Sequence, residues 1–167
     1  DDALTLNRVE QVLGLVNLQT IGKLVNHMAA GETGPGLALL NSLVAEGVEL
    51  GQLVDQVVAY LRGVLYVNIA QSADALDLPQ DVLAAMSRQA GRLSSPVLLG
   101  AIREFTEARA ALKDQVPGGP QLPLEIACLR AAGAARTGVG PGDTAPVLPS
   151  PGAPPAQPVP PPTATSV

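Results

Sequence analysis

Residues 50–70 constrain the chain more than any other stretch. They read Leu-Gly-Gln-Leu-Val-Asp-Gln-Val-Val-Ala-Tyr-Leu-Arg-Gly-Val-Leu-Tyr-Val-Asn-Ile-Ala. Leu50, Leu53, Val54, Val57, Val58, Leu61, Val64, Leu65 and Ile69 fall at helical spacing and form one wide apolar face. Tyr60 and Val67 lie on a flanking face, and only Asp55 and Arg62 carry charge. A helix so apolar around its circumference needs neighbours to cover it. It would run about 30 Å, the width of a small domain. Gln52, Asp55, Gln56, Arg62 and Asn68 interrupt the apolar run, which argues against a membrane span and for the central helix of a helical domain.

The chain supplies enough apolar material for such a domain. Of its 167 residues, 47% are hydrophobic. Tyr60, Tyr66 and Phe105 are the only aromatics, so the core is built from Leu, Val, Ile and Ala, which suits closely packed helices. The net charge of −5 comes without a basic cluster, which argues against this chain holding a nucleic-acid backbone by itself. A single cysteine, Cys128, excludes an internal disulfide framework. There is no signal-peptide or lipidation motif. The chain starts at Asp1 without a methionine, and its first residues read as mid-domain sequence, so we expect a piece of a longer protein.

Other helices can be placed in order. Leu4–Leu13 forms a short one on Leu6, Val9, Val12 and Leu13, closed by Gly14. Asn17 can cap a helix over Leu18–Ala30 with Leu18, Ile21, Leu24, Val25 and Met28 inward, ended by Gly31. Gly34-Pro35-Gly36 reads as a turn with Pro35 at a helix start, leading a helix to about Glu46 on Leu37, Leu40, Leu43 and Val44, ended by Gly47. Gln71–Leu78 is a connector. Pro79 opens a helix to about Leu93 with Val82, Leu83, Met86 and Ala90 inward. Ser94 or Ser95 caps the next helix, with Pro96 in its first turn. Its inner side carries Val97, Leu98, Ile102, Phe105, Ala108 and Leu112. Arg103, Glu104, Glu107 and Lys113 form its solvated side. After the break at 117–120, Pro123 opens a last helix over Leu124–Ala135. Leu124, Ala127, Cys128 and Ala131 share one side of it, with Ile126, Leu129 and Ala132 beside them. From Gly138 the composition changes. Residues 141–167 hold ten of the sixteen prolines and no aromatic, the signature of an extended, disordered linker. No strand pattern and no fixed-period repeat is present. The expected fold class is therefore all-α: a compact domain of about five to six helices followed by a Pro-rich tail.

Little of the chain suggests chemistry. Gly31–Gly36 has the glycine spacing of a phosphate loop, but Leu37 and Ala38 stand where Lys and Ser or Thr are needed. A helix-connecting turn explains it better. His27 is the only histidine and sits near a helix end, where a cation suits the dipole; one histidine is not a metal site. Cys128 lies among Ile126, Leu129 and Ala131 and reads as a buried packing thiol, the rival reading being a nucleophile. Asp74, Asp77 and Asp81 suit a connector and a helix start. No catalytic, cofactor-binding or metal-binding set is expected. Glu125 is the one candidate site residue. In the first turn of an apolar helix it either stabilises the helix start or makes a polar contact to a neighbouring subunit.

Several motifs resemble a known family. Val9-Glu-Gln-Val-Leu-Gly-Leu-Val16 resembles the end of the lid domain in the gamma/tau subunit of bacterial DNA polymerase III. Ala38-Leu-Leu-Asn-Ser-Leu-Val-Ala-Glu-Gly-Val48 and the long apolar helix are similar to the start of its third domain. Ser94–Ala111 and Pro123-Leu-Glu-Ile-Ala-Cys-Leu-Arg130 resemble its closing helices, with Cys128-Leu129-Arg130 departing slightly from the family's Leu-Leu-Arg-like ending. The resemblance implies three segments: residues 1–16 as the end of an AAA+ lid domain, 17–135 as a helical collar, and 136–167 as a Pro-rich linker. The collar would oligomerise clamp-loader ATPase subunits, which load the sliding clamp onto primed DNA. The resemblance also implies ATP and magnesium in domains upstream of this chain, with no cofactor in the chain itself. Implied partners are other clamp-loader subunits (gamma/tau copies, delta and delta prime), with the replicative polymerase and helicase reached through later domains. The setting would be cytoplasmic, without a membrane. The rival from another class is a stand-alone helical adaptor that binds a partner helix in a groove.

Overall fold

The computed structural model describes residues 16–73, 75–113 and 119–138. The expected helix over 4–13, Asp74 and the Pro-rich stretch from 139 onward lie outside the described residues. Six helices account for the rest: α1 (Leu18–Ala29), α2 (Thr33–Ala45), α3 (Leu50–Ala70), α4 (Gln80–Ala90), α5 (Ser95–Ala111) and α6 (Leu122–Thr137). There is no strand among the described residues, and the architecture is all-α.

The 21-residue helix α3 is the centre. It packs along α5 and also against α4 and α1, while α6 closes the other side against α5, α1 and α2. It is the one described helix long and apolar enough to cross a membrane, yet its apolar face is spent on these neighbours. The buried face is rotated from the one expected. Leu53, Val54, Val57, Leu61 and Val64 point inward, but so do Tyr60 and Val67, whereas Ile69 is exposed. Val58 and Leu65 are only half-buried. A helix with apolar residues around most of its girth has two nearly equivalent faces, and the neighbours decide between them.

The polar residues of α3 tie these neighbours down. Gln56 Oε1 accepts from the Val16 backbone N–H at 3.1 Å. Asn68 Nδ2 donates to the carbonyls of Ala90 (2.8 Å) and Leu93 (3.1 Å). Asn68 Oδ1 accepts from the Ser95 hydroxyl at 2.6 Å. One side chain thus fixes the α4–α5 turn on the end of α3. Ser95 therefore serves this clamp, and Ser94 stands at the N-cap of α5 without a side-chain capping bond.

Helix ends follow local chemistry. Asn17 Oδ1 accepts from the Gln19 N–H at 2.7 Å, the expected cap. Glu49 caps α3, its two carboxylate oxygens accepting from Gly51 N–H (2.9 Å) and Gln52 N–H (2.6 Å). The chain turns after α1 at Gly31, where φ is +69°. Helix α2 starts earlier than expected, at Thr33, so Gly34-Pro35-Gly36 lies within its first turn rather than before it. Proline is tolerated there because first-turn N–H groups have no intrahelical acceptor. Helix α4 is shorter than expected, ending at Ala90, with Leu93 buried in the turn beyond it. Helix α6 continues to Thr137, two residues past the expected end, and stops at Gly138 in the left-handed conformation.

Candidate subunit-contact surface

The surface built by α5 and α6 combines apolar exposure with an ion pair. On α6, Leu124, Ala127, Cys128, Ala131, Ala132 and Ala134 face the core. The small alanines let α6 lie close against its neighbours. The opposite stripe carries Leu122, Glu125, Ile126 and Leu129, neighbours at helical spacings of three and four. Ile126 is 39% exposed and Leu129 43%. Two branched aliphatic side chains therefore stand in solvent on one helix face.

Glu125 lies in the first turn of α6 and is half-buried. Its carboxylate makes no hydrogen bond or ion pair among the described residues. Its own backbone N–H donates to the Gln121 carbonyl at 3.1 Å.

Sequence reasoning put Glu104 on a solvated face, and the structure corrects this. Glu104 is buried on α5, and its Oε2 accepts from Arg130 Nη1 of α6 at 3.0 Å. The Arg130 side chain itself is 58% exposed. A buried carboxylate demands a partner, and here that partner comes from 26 residues away. Arg103 and Glu107 remain exposed and pair with each other at 2.8 Å. Beside Arg130 runs a groove of about 260 Å³ between the helices, walled by Ala108, Ala111, Pro123 and Ile126.

The chemistry-bearing residues singled out in the sequence lie elsewhere. His27 is in the last turn of α1, with Nδ1 2.7 Å from Glu32 Oε2. Cys128 is buried, and burial pushes its thiol up to about 11. Such a thiol is protonated at neutral pH and is a poor nucleophile. Both residues flank Gly36: a Cβ there would stand 3.6 Å from His27 Cβ and 3.8 Å from Cys128 Sγ. They serve helix packing at the α1–α2–α6 junction. Asp81, in the first turn of α4, accepts from Gln19 Nε2 at 2.7 Å. No set of three or more His, Cys, Asp or Glu side chains among the described residues is placed to hold a metal.

Comparison with known families places this arrangement. The family model described as DNA polymerase III subunits gamma and tau domain III matches residues 4–137, which includes all six helices. Neither the curated proteins nor the solved structures yielded a match. The match covers most of the chain, and the chain belongs to the domain III family of the DNA polymerase III gamma and tau subunits, clamp-loader components of DNA replication.

Proposed function

We propose that this domain is a collar, joining its subunit to the equivalent domains of neighbouring clamp-loader subunits. The observation that carries this reading is the exposed stripe of α6, where Ile126 and Leu129 flank the unpartnered Glu125. Exposed branched aliphatics beside a groove suit the apolar centre of a protein contact. A standard interface covers about 800 Å² on each partner, so the stripe is its centre and adjoining residues of α5 and α6 form its rim. In this role Glu125 makes a polar contact across the interface.

The collar's contribution is tethering. Linked subunits face each other at high effective concentration, so ATP bound with magnesium in one upstream ATPase domain can be sensed by the next. On this reading residues 17–135 form the collar, 1–16 close the preceding lid domain, and 136–167 lead as a linker to whatever follows. The partners are further gamma/tau copies, delta and delta prime. The sliding clamp, primed DNA, polymerase and helicase are reached through the whole assembly, in the cytoplasm.

Sedimentation velocity tests this. The chain mixed with the remaining clamp-loader subunits of its own replication machinery is expected to co-sediment as a higher-order species. A chain that sediments as a monomer in that mixture would overturn the collar reading and favour a stand-alone adaptor.

A further inference from the structure

Helices α1, α4 and α5 pack on α3, and among the described residues one strip of α3 stays open. Ala59, Arg62, Tyr66 and Ala70 follow one another along it at helical spacing, and all four are exposed. Tyr66 is 44% exposed, and Ile69 at its border 69%. Gly63 lies half-buried at the other border, where Met86 of α4 begins. Arg62 makes no ion pair among the described residues. The strip thus sets one uncommitted cation among small, aliphatic and aromatic side chains.

The described residues begin at the edge of this strip. Val16 is buried, and its backbone N–H donates to Gln56 Oε1 at 3.1 Å, about one turn before Ala59. Residues 1–15 lie outside the described residues. Their sequence sets Leu6, Val9, Glu10 and Leu13 on one helical face, at spacings of three and four. A carboxylate in the middle of an apolar face calls for a cation where that face is covered. The family match opens at residue 4, so it takes this segment together with the six helices.

We propose that residues 4–13 seat as a helix on this strip, antiparallel to α3, with Glu10 on Arg62. Both helices rise about 1.5 Å per residue. An antiparallel run from the Val16–Gln56 contact therefore sets Leu13 level with Ala59, Glu10 with Arg62, Val9 with Gly63 and Leu6 with Tyr66. Each aliphatic side chain meets a small or aromatic one, and the one carboxylate meets the one free cation. Run the other way, the segment would meet Gln52 and Asp55, and Asp55 already accepts from Arg109 at 3.1 Å. The use of this seat rests on the reading that residues 1–16 close the preceding lid domain: it holds the lid's last helix on the collar, so that movement of the lid reaches α3. The contact itself needs no lid and no residue of the α6 stripe, so its failure and that of the collar reading are separable.

Tyrosine nitration of the full 167-residue chain tests the seat. Tyr60 is 2% exposed and burial pushes its phenol up, so Tyr66 is the tyrosine that reports. A seat filled about nine-tenths of the time slows nitration of Tyr66 about tenfold. The double variant Leu6→Asp with Val9→Asp is expected to remove this protection while the helical circular dichroism is kept. Glu10→Arg is expected to lose most of it, and Glu10→Arg with Arg62→Glu to regain it. Leu13→Cys with Ala59→Cys is expected to close a disulfide under mild oxidation, since Cys128 is buried and protonated. Equal nitration of Tyr66 in the parent and the Leu6/Val9 double variant overturns the proposal, as does a charge swap that regains nothing. Protection that survives the Leu6/Val9 change and grows with protein concentration also overturns it, and gives the strip to a second copy of the chain.

Discussion

Gly22 and Gly133 are both helical glycines, with opposite surroundings. A Cβ on Gly22 would meet the Tyr60 hydroxyl at 2.9 Å and its ring carbon at 3.4 Å. The aromatic ring is fully buried in the core and cannot swing clear. Gly22→Ala should therefore cost about 1–3 kcal/mol of stability by overpacking, despite alanine's better helix propensity. At Gly133 nothing lies within 4 Å of the added atom. There Ala should stabilise by about 0.5–1 kcal/mol. Urea midpoints of the two variants check this pair of opposite signs. Cys128 carries a second prediction. Burial raises its thiol from the ordinary 9.0 to about 11, so the unfolded chain releases this proton first. The thiol's contribution to stability is intact below about pH 9 and falls by up to about 2–3 kcal/mol as the pH rises towards about 11. Cys128→Ala should flatten that part of the alkaline decline in a denaturation series run across this range, while a Tyr60 contribution of the same sign remains.

At the scale of elements, the pairing of α5 with α6 depends on a contact that no periodicity displays. Arg130→Ala would leave the Glu104 carboxylate buried without its partner. Removing one member of a fully buried pair costs about 3–5 kcal/mol. Arg130 is more than half exposed, so water relieves part of this, and we expect a loss of about 1–2 kcal/mol. Replacing both residues by methionine should recover most of it, and a double-mutant cycle measures the coupling. The sequence made the helices legible because their apolar spacing and punctuation are local. The bounds of α3 and the Asn17 cap came directly from residue type. The facing of α3 did not, since Ile69 and Val67 are equally apolar and only packing separates them. Glu104 was misplaced because its partner is on another helix. The Glu49 cap went unread because glutamate is not among the favoured capping residues. For the candidate surface, the first-turn position of Glu125 was legible, whereas the exposure of Ile126 and Leu129 required the neighbouring helices to be in place.

For the whole molecule, the six helices use one another to cover α3, and α6 is left with a stripe on which Ile126 and Leu129 stay about two-fifths exposed. On the proposed collar reading, that stripe is the place where other subunits dock. The most direct measurement replaces Leu129 by Asp. The side chain is exposed, so the thermal midpoint should stay within a few degrees of the parent. In sedimentation velocity with the other clamp-loader subunits, the account predicts that Leu129→Asp loses its place in the higher-order species while the parent chain keeps it. A folded Leu129→Asp chain that co-sediments as the parent does would contradict the assignment of the α6 stripe as the contact.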